Sequence, residues 1–302
     1  MDERQRGEIR EEFGDDVLFD CPMSEYTTFR AGGLAEALCT CRDLRRLRWI
    51  YPYAGSRGIP FLVVGRGSNL LVRDTGFHGV MVRLAGELAA IEQDRSGEPI
   101  LNAGGGASLS DALSFCREKG LGGMEFLAGI PGSIGGAVAM NAGAWGAEIG
   151  EIVRKVVLLA PEGDLLERER SELRFSYRTL SMAEGAAIVR VSLNLRREDP
   201  GAILDRMSRY LGGRKSRQPL EQPSAGSVFR NPPGDFAGRL IEECGLKGER
   251  VGGAMISPKH ANFIVNVGGA RASDILALMN MARERVLEKT GVKLEPELRV
   301  VG

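Results

Sequence analysis

The chain lacks both of the glycine-rich sequences most often used to hold a nucleotide phosphate. No G-x-G-x-x-G and no G-x-x-x-x-G-K-[ST] occurs in it, so a Rossmann fingerprint and a Walker loop are excluded. Histidine is scarce, with only His78 and His260, and no serine sits in a G-x-S-x-G elbow. A Ser-His-Asp hydrolase therefore finds no support. Net charge is also missing. The 40 Lys and Arg residues balance 40 Asp and Glu residues, which removes the electrostatic argument for nucleic acid or an anionic membrane as partner. The five cysteines are odd in number and form no C-x-x-C pair. Reduced thiols of a cytoplasmic protein are expected, with no metal site, and Cys39 and Cys41 read as alternate positions on a strand. Long apolar runs are absent. The longest low-charge stretch, Phe126 to Trp145, is broken by Pro131 and several glycines, so it suits no membrane helix of about 20 residues. The first residues are mostly charged and lack the apolar centre of a signal peptide.

What is present describes an ordinary folded protein. Of its 302 residues, 43% are hydrophobic and 26% charged. That length is near the limit of a single core, so two domains are expected. The first two-thirds reads as short strands and glycine turns: Ile59–Val64, Asn69–Val72, Gly79–Leu84, Glu98–Ala103, Val153–Ala160 and Ala187–Leu195. Ser108–Lys119 has a serine cap, an apolar face of Leu109, Ala112, Leu113 and Cys116, and a stop at Gly120. Leu44–Gly58 has helical spacing, and a break or kink is expected at Pro52. The last third changes character. Helices are expected over Asp235–Cys244 and Arg271–Thr290, with a strand over His260–Val267. A separate α+β domain is therefore expected after about residue 205, and Pro200-Gly201 marks the change.

Three segments carry the candidate chemistry. Gly65, Arg66, Gly67, Ser68 and Asn69 form a strand-loop-strand whose successive amides can make an anion-binding nest. A hairpin turn without a ligand is the alternative. The run from Leu127 to Ala144 is apolar and built of small residues, including Gly129, Ile130, Pro131, Gly132, Ser133, Gly136 and Asn141. Small residues let a backbone approach a flat ring, which Ser133, Asn141 and free amides can orient. Tight packing against a sheet is the alternative. Finally, Ser224-Ala225-Gly226-Ser227-Val228-Phe229-Arg230-Asn231-Pro232 sets a serine on a glycine hinge, before two apolar anchors and a proline stop. Ser227 reads better as a proton donor than as an acyl nucleophile.

With these segments together, the chain resembles the UDP-N-acetylenolpyruvoylglucosamine reductase family of bacterial peptidoglycan precursor synthesis. The resemblance runs from about Tyr26 to Arg299. It is carried by Thr27–Gly33, Gly65–Val72, Gly129–Gly146, Phe175-Ser176-Tyr177-Arg178, Ala225–Pro232, Lys259–Asn266 and Glu295-Pro296-Glu297-Leu298-Arg299. It implies an α+β fold: an FAD-binding fold of the vanillyl-alcohol-oxidase type over residues 1–205, in two subdomains meeting near residue 85. A substrate-binding domain over 206–302 follows, its last residues returning to the FAD domain. The glycine segments would hold FAD non-covalently, since neither histidine lies where a covalent link is expected.

The resemblance also implies the reaction. NADPH would supply hydride through the flavin to the methylene carbon of the enolpyruvyl group of UDP-N-acetylglucosamine enolpyruvate, and a proton would complete UDP-N-acetylmuramate. Ser227 matches the family's proton donor, Arg178 the arginine that steadies developing charge, and Glu297 the glutamate that can hydrogen-bond the substrate carboxylate. Asn231, Lys259 and Arg299 are implied contacts to diphosphate or carboxylate. His260 is expected to be a structural donor, and a monomer is expected. Trp145, Leu180 and Met255 depart from the family pattern, and the short stretch from Arg178 to Ser227 places the chain with the type lacking an extra substrate-capping loop. Two other readings stay open: a flavin oxidase of the same fold, and a non-catalytic flavin- or nucleotide-sugar-binding protein.

Overall fold

Helices start where a side chain can accept the orphan amides of a first turn. In the computed structural model, which describes residues 1–302, Ser108 caps the helix Leu109–Glu118 by accepting from Asp111 N at 3.0 Å. The buried face of that helix is the expected one, Leu109, Ala112, Leu113 and Cys116. Helix Ala272–Thr290 buries Ile275, Leu278, Met279, Ala282 and Val286, then stops at Gly291, which is left-handed at φ 72°. Its opening amides find an acceptor far away in sequence. Asp74 takes Ala272 N at 2.9 Å and Ser273 N at 3.0 Å.

Other elements depart from the sequence reading for local reasons. No break occurs at Pro52, and the helix Leu44–Ser56 runs through it. Pro52 and Arg48 both lie on the exposed side, where water can satisfy the Arg48 carbonyl that loses its partner. The expected strand over 260–267 shortens to Ile264–Asn266. Upstream of it, side chains replace the ladder: His260 N donates to Ser257 Oγ and Asn262 N to His260 Nδ1. Three helices were not legible. Glu3–Phe13 starts with a capping box between Asp2 and Gln5. Pro200–Arg217 opens on a proline, which a first turn tolerates because its N–H has no partner there. Ile134–Ala139 lies within the small-residue run, capped by Ser133.

The chain divides into two compact units. One comprises Met1–Phe19, Ala37–Gly65 and His78–Gly212; the other comprises Asp20–Glu36, Arg66–Phe77 and Gly213–Gly302. The first contains a five-stranded antiparallel sheet in the order Leu165–Glu169, Val153–Leu159, Ala187–Asn194, Ile100–Gly104, Ile91–Gln93. One face of this sheet packs with helix Leu109–Glu118 around Leu101, Val156, Val191 and Leu193. A four-stranded sheet, order Val17–Pro22, Leu34–Cys41, Phe77–Leu84, Phe61–Val64, ends in a parallel pair. Cys39 and Cys41 are buried on it, and burial pushes the Cys39 thiol up to about 12, so it is inert as a nucleophile. In the second unit, a meander of Arg250–Val251, Ala254–Ile256 and Ile264–Asn266 packs with helices Ala237–Glu243 and Ala272–Thr290. The last strand, Arg299–Val301, pairs in parallel with Leu70–Val72.

Candidate active site

Gly226 has φ +75° with open space where a Cβ would stand, so glycine serves the turn rather than a close approach. Beyond this hinge, Ser227 bridges Phe263, and Phe229 bridges Pro296. Asn262 holds the segment from one side. Its Oδ1 accepts from Phe229 N at 3.0 Å and its Nδ2 donates to Phe229 O at 2.8 Å, while its own carbonyl accepts from Val228 N at 2.9 Å. On the other side, Glu297 N donates to Val228 O at 2.9 Å and Arg230 N to Glu295 O at 2.9 Å. Asn69 joins this group, its Nδ2 donating to Glu297 O at 3.1 Å. Within the second unit the fold thus sets Ser227, Glu297 and Asn69 on adjoining backbone, although they lie far apart in sequence.

His260 is a structural donor and also an acceptor: its backbone N–H donates to Ser257 Oγ, and Nδ1 of its ring receives Asn262 N–H at 3.2 Å. Burial is the main cause that lowers its pKa, which keeps the ring neutral and Nδ1 available. Asn231 Oδ1 accepts from Ala237 N at 3.1 Å at the start of helix Ala237–Glu243. Lys259 Nζ donates to Lys215 O at 2.7 Å. Arg299 is exposed at the head of the final strand.

Arg178 belongs to the first unit. It is the second residue of a two-residue turn joining Phe175–Ser176 to Thr179–Leu180 and sits at φ +58°. That backbone costs a residue with a Cβ about 1–2 kcal/mol. Its Nη1 donates to Gly143 O at 3.3 Å. Asn141 braces the same turn. Wholly buried, it donates from Nδ2 to Ser176 O at 3.1 Å and to Glu148 at 2.6 Å, and accepts from Gly150 N at 3.1 Å. Asn141 therefore spends its side-chain amide on protein groups, one of them in the turn that carries Arg178.

Both glycine segments present groups that FAD could use. In the second unit the N–H groups of Arg66, Gly67 and Ser68 donate to no protein acceptor. Thr28, whose N–H donates to Gly67 O at 3.2 Å, carries a buried hydroxyl without a partner. An oxyanion such as a pyrophosphate would satisfy this set. Gly67 cannot be larger, since a Cβ there would lie 2.2 Å from Tyr26 O at φ +62°. In the first unit a Cβ on Gly65 would lie 2.6 Å from Ser133 Oγ, which also accepts from Gly136 N at 3.2 Å. Gly129 and Pro131 are exposed and Gly132 and Ile130 partly so, leaving main chain for a flat ligand to approach. The residues fit the cofactor. Thr28 and Asn262 lie inside matched runs but were not singled out by sequence, because their roles depend on neighbours brought by the fold.

Comparison with known proteins agrees with this geometry. Residues 35–168 match the FAD binding domain family, and residues 218–301 match the UDP-N-acetylenolpyruvoylglucosamine reductase C-terminal domain. The chain is 42% identical over 304 residues to UDP-N-acetylenolpyruvoylglucosamine reductase of Geobacter metallireducens, covering 100% of this chain and 99% of that one. It is 46% identical over 283 residues to the protein of that name from Heliobacterium modesticaldum, covering 93% and 89%. The crystal structure of UDP-N-acetylenolpyruvylglucosamine reductase from Thermus caldophilus superposes with a TM-score of 0.80 at 39% identity, over 95% of this chain and 98% of that one. No helix is long and apolar enough to cross a membrane. An α+β flavoprotein with an FAD-binding domain and this C-terminal domain, the chain belongs to the UDP-N-acetylenolpyruvoylglucosamine reductase family.

Proposed function

We propose that the chain reduces UDP-N-acetylglucosamine enolpyruvate to UDP-N-acetylmuramate with NADPH, as a cytoplasmic monomer holding FAD non-covalently. Residues 1–205 would serve the flavin and 206–302 the substrate. Bound FAD supplies the hydride carrier between NADPH and the enolpyruvyl double bond. The protein's own task is to bind, to orient and to deliver one proton.

Hydride arriving at the methylene carbon leaves negative charge spread toward the substrate carboxylate. Ser227 Oγ then gives its proton to the carbon bearing that carboxylate, and the serine is reprotonated from solvent. Because a serine hydroxyl is a weak acid, its position must be held closely. The observation that carries the reading is the two-sided backbone clamp on Val228 and Phe229, formed by Asn262 and by the Glu295–Glu297 segment. Glu297 is thereby kept beside the serine segment, where its carboxyl can meet the substrate carboxylate. Arg178, held in a strained turn, offers a fixed planar cation for the developing charge. A strained backbone at a proposed functional residue is consistent with such a role. Lys259, Asn231 and Arg299 are assigned to the diphosphate and carboxylate. His260 is engaged through Nδ1 and is not assigned a flavin link.

The test is substrate-dependent NADPH oxidation by the yellow protein. Ser227→Ala should keep its flavin and its reduction by NADPH, yet lose turnover by about 100-fold or more, the span of general acid catalysis. A Ser227→Ala protein with full turnover would remove the proton-donor role. A flavin-loaded wild type that ignores the enolpyruvyl substrate would remove the reaction itself.

A further inference from the structure

We propose that Arg230 is an oxyanion-binding residue whose guanidinium receives a phosphoryl group of an entering nucleotide. The inference rests on the reductase reading above, which brings two such nucleotides to the chain, the UDP-sugar and the dinucleotide. The Nε of Arg230 has no access to water and no acceptor in the protein. Arg46 and Arg206 also bury an Nε without a partner, yet both are neutralised by carboxylates, Asp16 at 2.5 Å and Glu125 at 2.8 Å. Arg230 takes part in no ion pair. A half-buried cation with neither a counter-charge nor full hydration opposes folding. A position needing only bulk would be served better by methionine or leucine.

The base of the side chain is also rigid. Arg230 N donates to Glu295 O at 2.9 Å, and the residue before it is held through both its N–H and its carbonyl by Asn262. The residue after it, Asn231, is tied through Oδ1 to the start of the next helix. A guanidinium carried on fixed backbone three residues beyond Ser227 is pre-organised, and its planar fork of donors suits phosphate oxygens. Phosphate is the shared chemistry of both candidate ligands, so the experiment has to separate them.

Holoenzyme is compared as wild type, Arg230→Met and Arg230→Lys. Inorganic pyrophosphate should raise the thermal midpoint of the wild type and leave that of Arg230→Met unmoved, while Arg230→Met without ligand is at least as stable as the wild type. In equilibrium titrations, UDP or NADP⁺ should bind Arg230→Met at least tenfold more weakly, with partial recovery in Arg230→Lys and the other nucleotide within twofold. Which nucleotide weakens names the source of the phosphate. Both nucleotides binding Arg230→Met within twofold of wild type would overturn the proposal. If wild type bound neither nucleotide, the reductase reading would fail, and equal pyrophosphate shifts in both proteins would overturn the Arg230 assignment on its own. Should Arg230→Met not fold, Arg230→Gln removes the charge while keeping donors and supports the same comparison.

Discussion

Replacing Asn262 tests the idea that the serine segment is held by one buried amide. Asn262 is 2% exposed and Phe229 1%. The orientation of the amide is determined by its partners, since only Oδ1 can accept from Phe229 N and only Nδ2 can donate to Phe229 O. Asn262→Ala leaves both backbone groups of Phe229 buried and unsatisfied. At about 1–3 kcal/mol for each such group, the loss is about 2–6 kcal/mol, a large part of a domain's whole stability. Asn262→Asp separates the two bonds. The carboxylate still accepts from Phe229 N–H but turns a second anionic oxygen on Phe229 O. Its pKa in the folded protein should therefore be raised. The stability it contributes is present below the unfolded value of about 3.9 and is lost as pH rises through the folded value. Urea unfolding of wild type, Asn262→Ala and Asn262→Asp at pH 5 and pH 8 measures this. The Asp variant should approach wild type at the lower pH and fall to the level of Ala at the higher. An Ala variant within about 0.5 kcal/mol of wild type, the ordinary range of neutral surface changes, would refute the clamp. So would an Asp variant whose stability relative to wild type is the same at both pH values.

Two further outcomes follow from the same geometry. Gly67→Ala forces a Cβ against Tyr26 O and Thr27 Cα at φ +62°, and the loop must shift from its place beside Thr28. At about 1–3 kcal/mol of strain, the purified protein should hold its FAD about tenfold more weakly or worse, read from the flavin absorbance of dialysed samples; full retention would show that the loop does not bind the cofactor. His260 gives a pH dependence of definite sign. Burial holds its pKa below 6.5, so its contribution to stability is complete above that value and is lost as pH falls through the lower folded value. Unfolding free energies of wild type and His260→Gln between pH 5 and 8 should converge as pH falls, whereas a constant gap would show that the imidazole titrates alike in folded and unfolded chains.

What the sequence alone decided was whatever depends on near neighbours along the chain. The Ser108 cap, the buried stripe of Ala272–Thr290, the stop at Gly291 and the hinge at Gly226 each follow from residues within a few positions of one another, and each stands where it was expected. The seven matched runs also pointed to the family, because motif order survives in a linear string. Folding decided which distant groups share a bond. Asn262 meets Phe229 across 33 residues, and Asn69 meets Glu297 across 228. The strain at Arg178 and the water-excluded Nε of Arg230 are likewise invisible in the string, since an arginine there reads as an ordinary surface cation. Ile134–Ala139 shows the limit in reverse. Its two glycines argue against a helix by propensity, and a serine cap with burial of Ile134, Ala137 and Val138 outweighs them. Propensity and periodicity are local energies, whereas burial and the pairing of buried polar groups exist only once the chain has closed on itself.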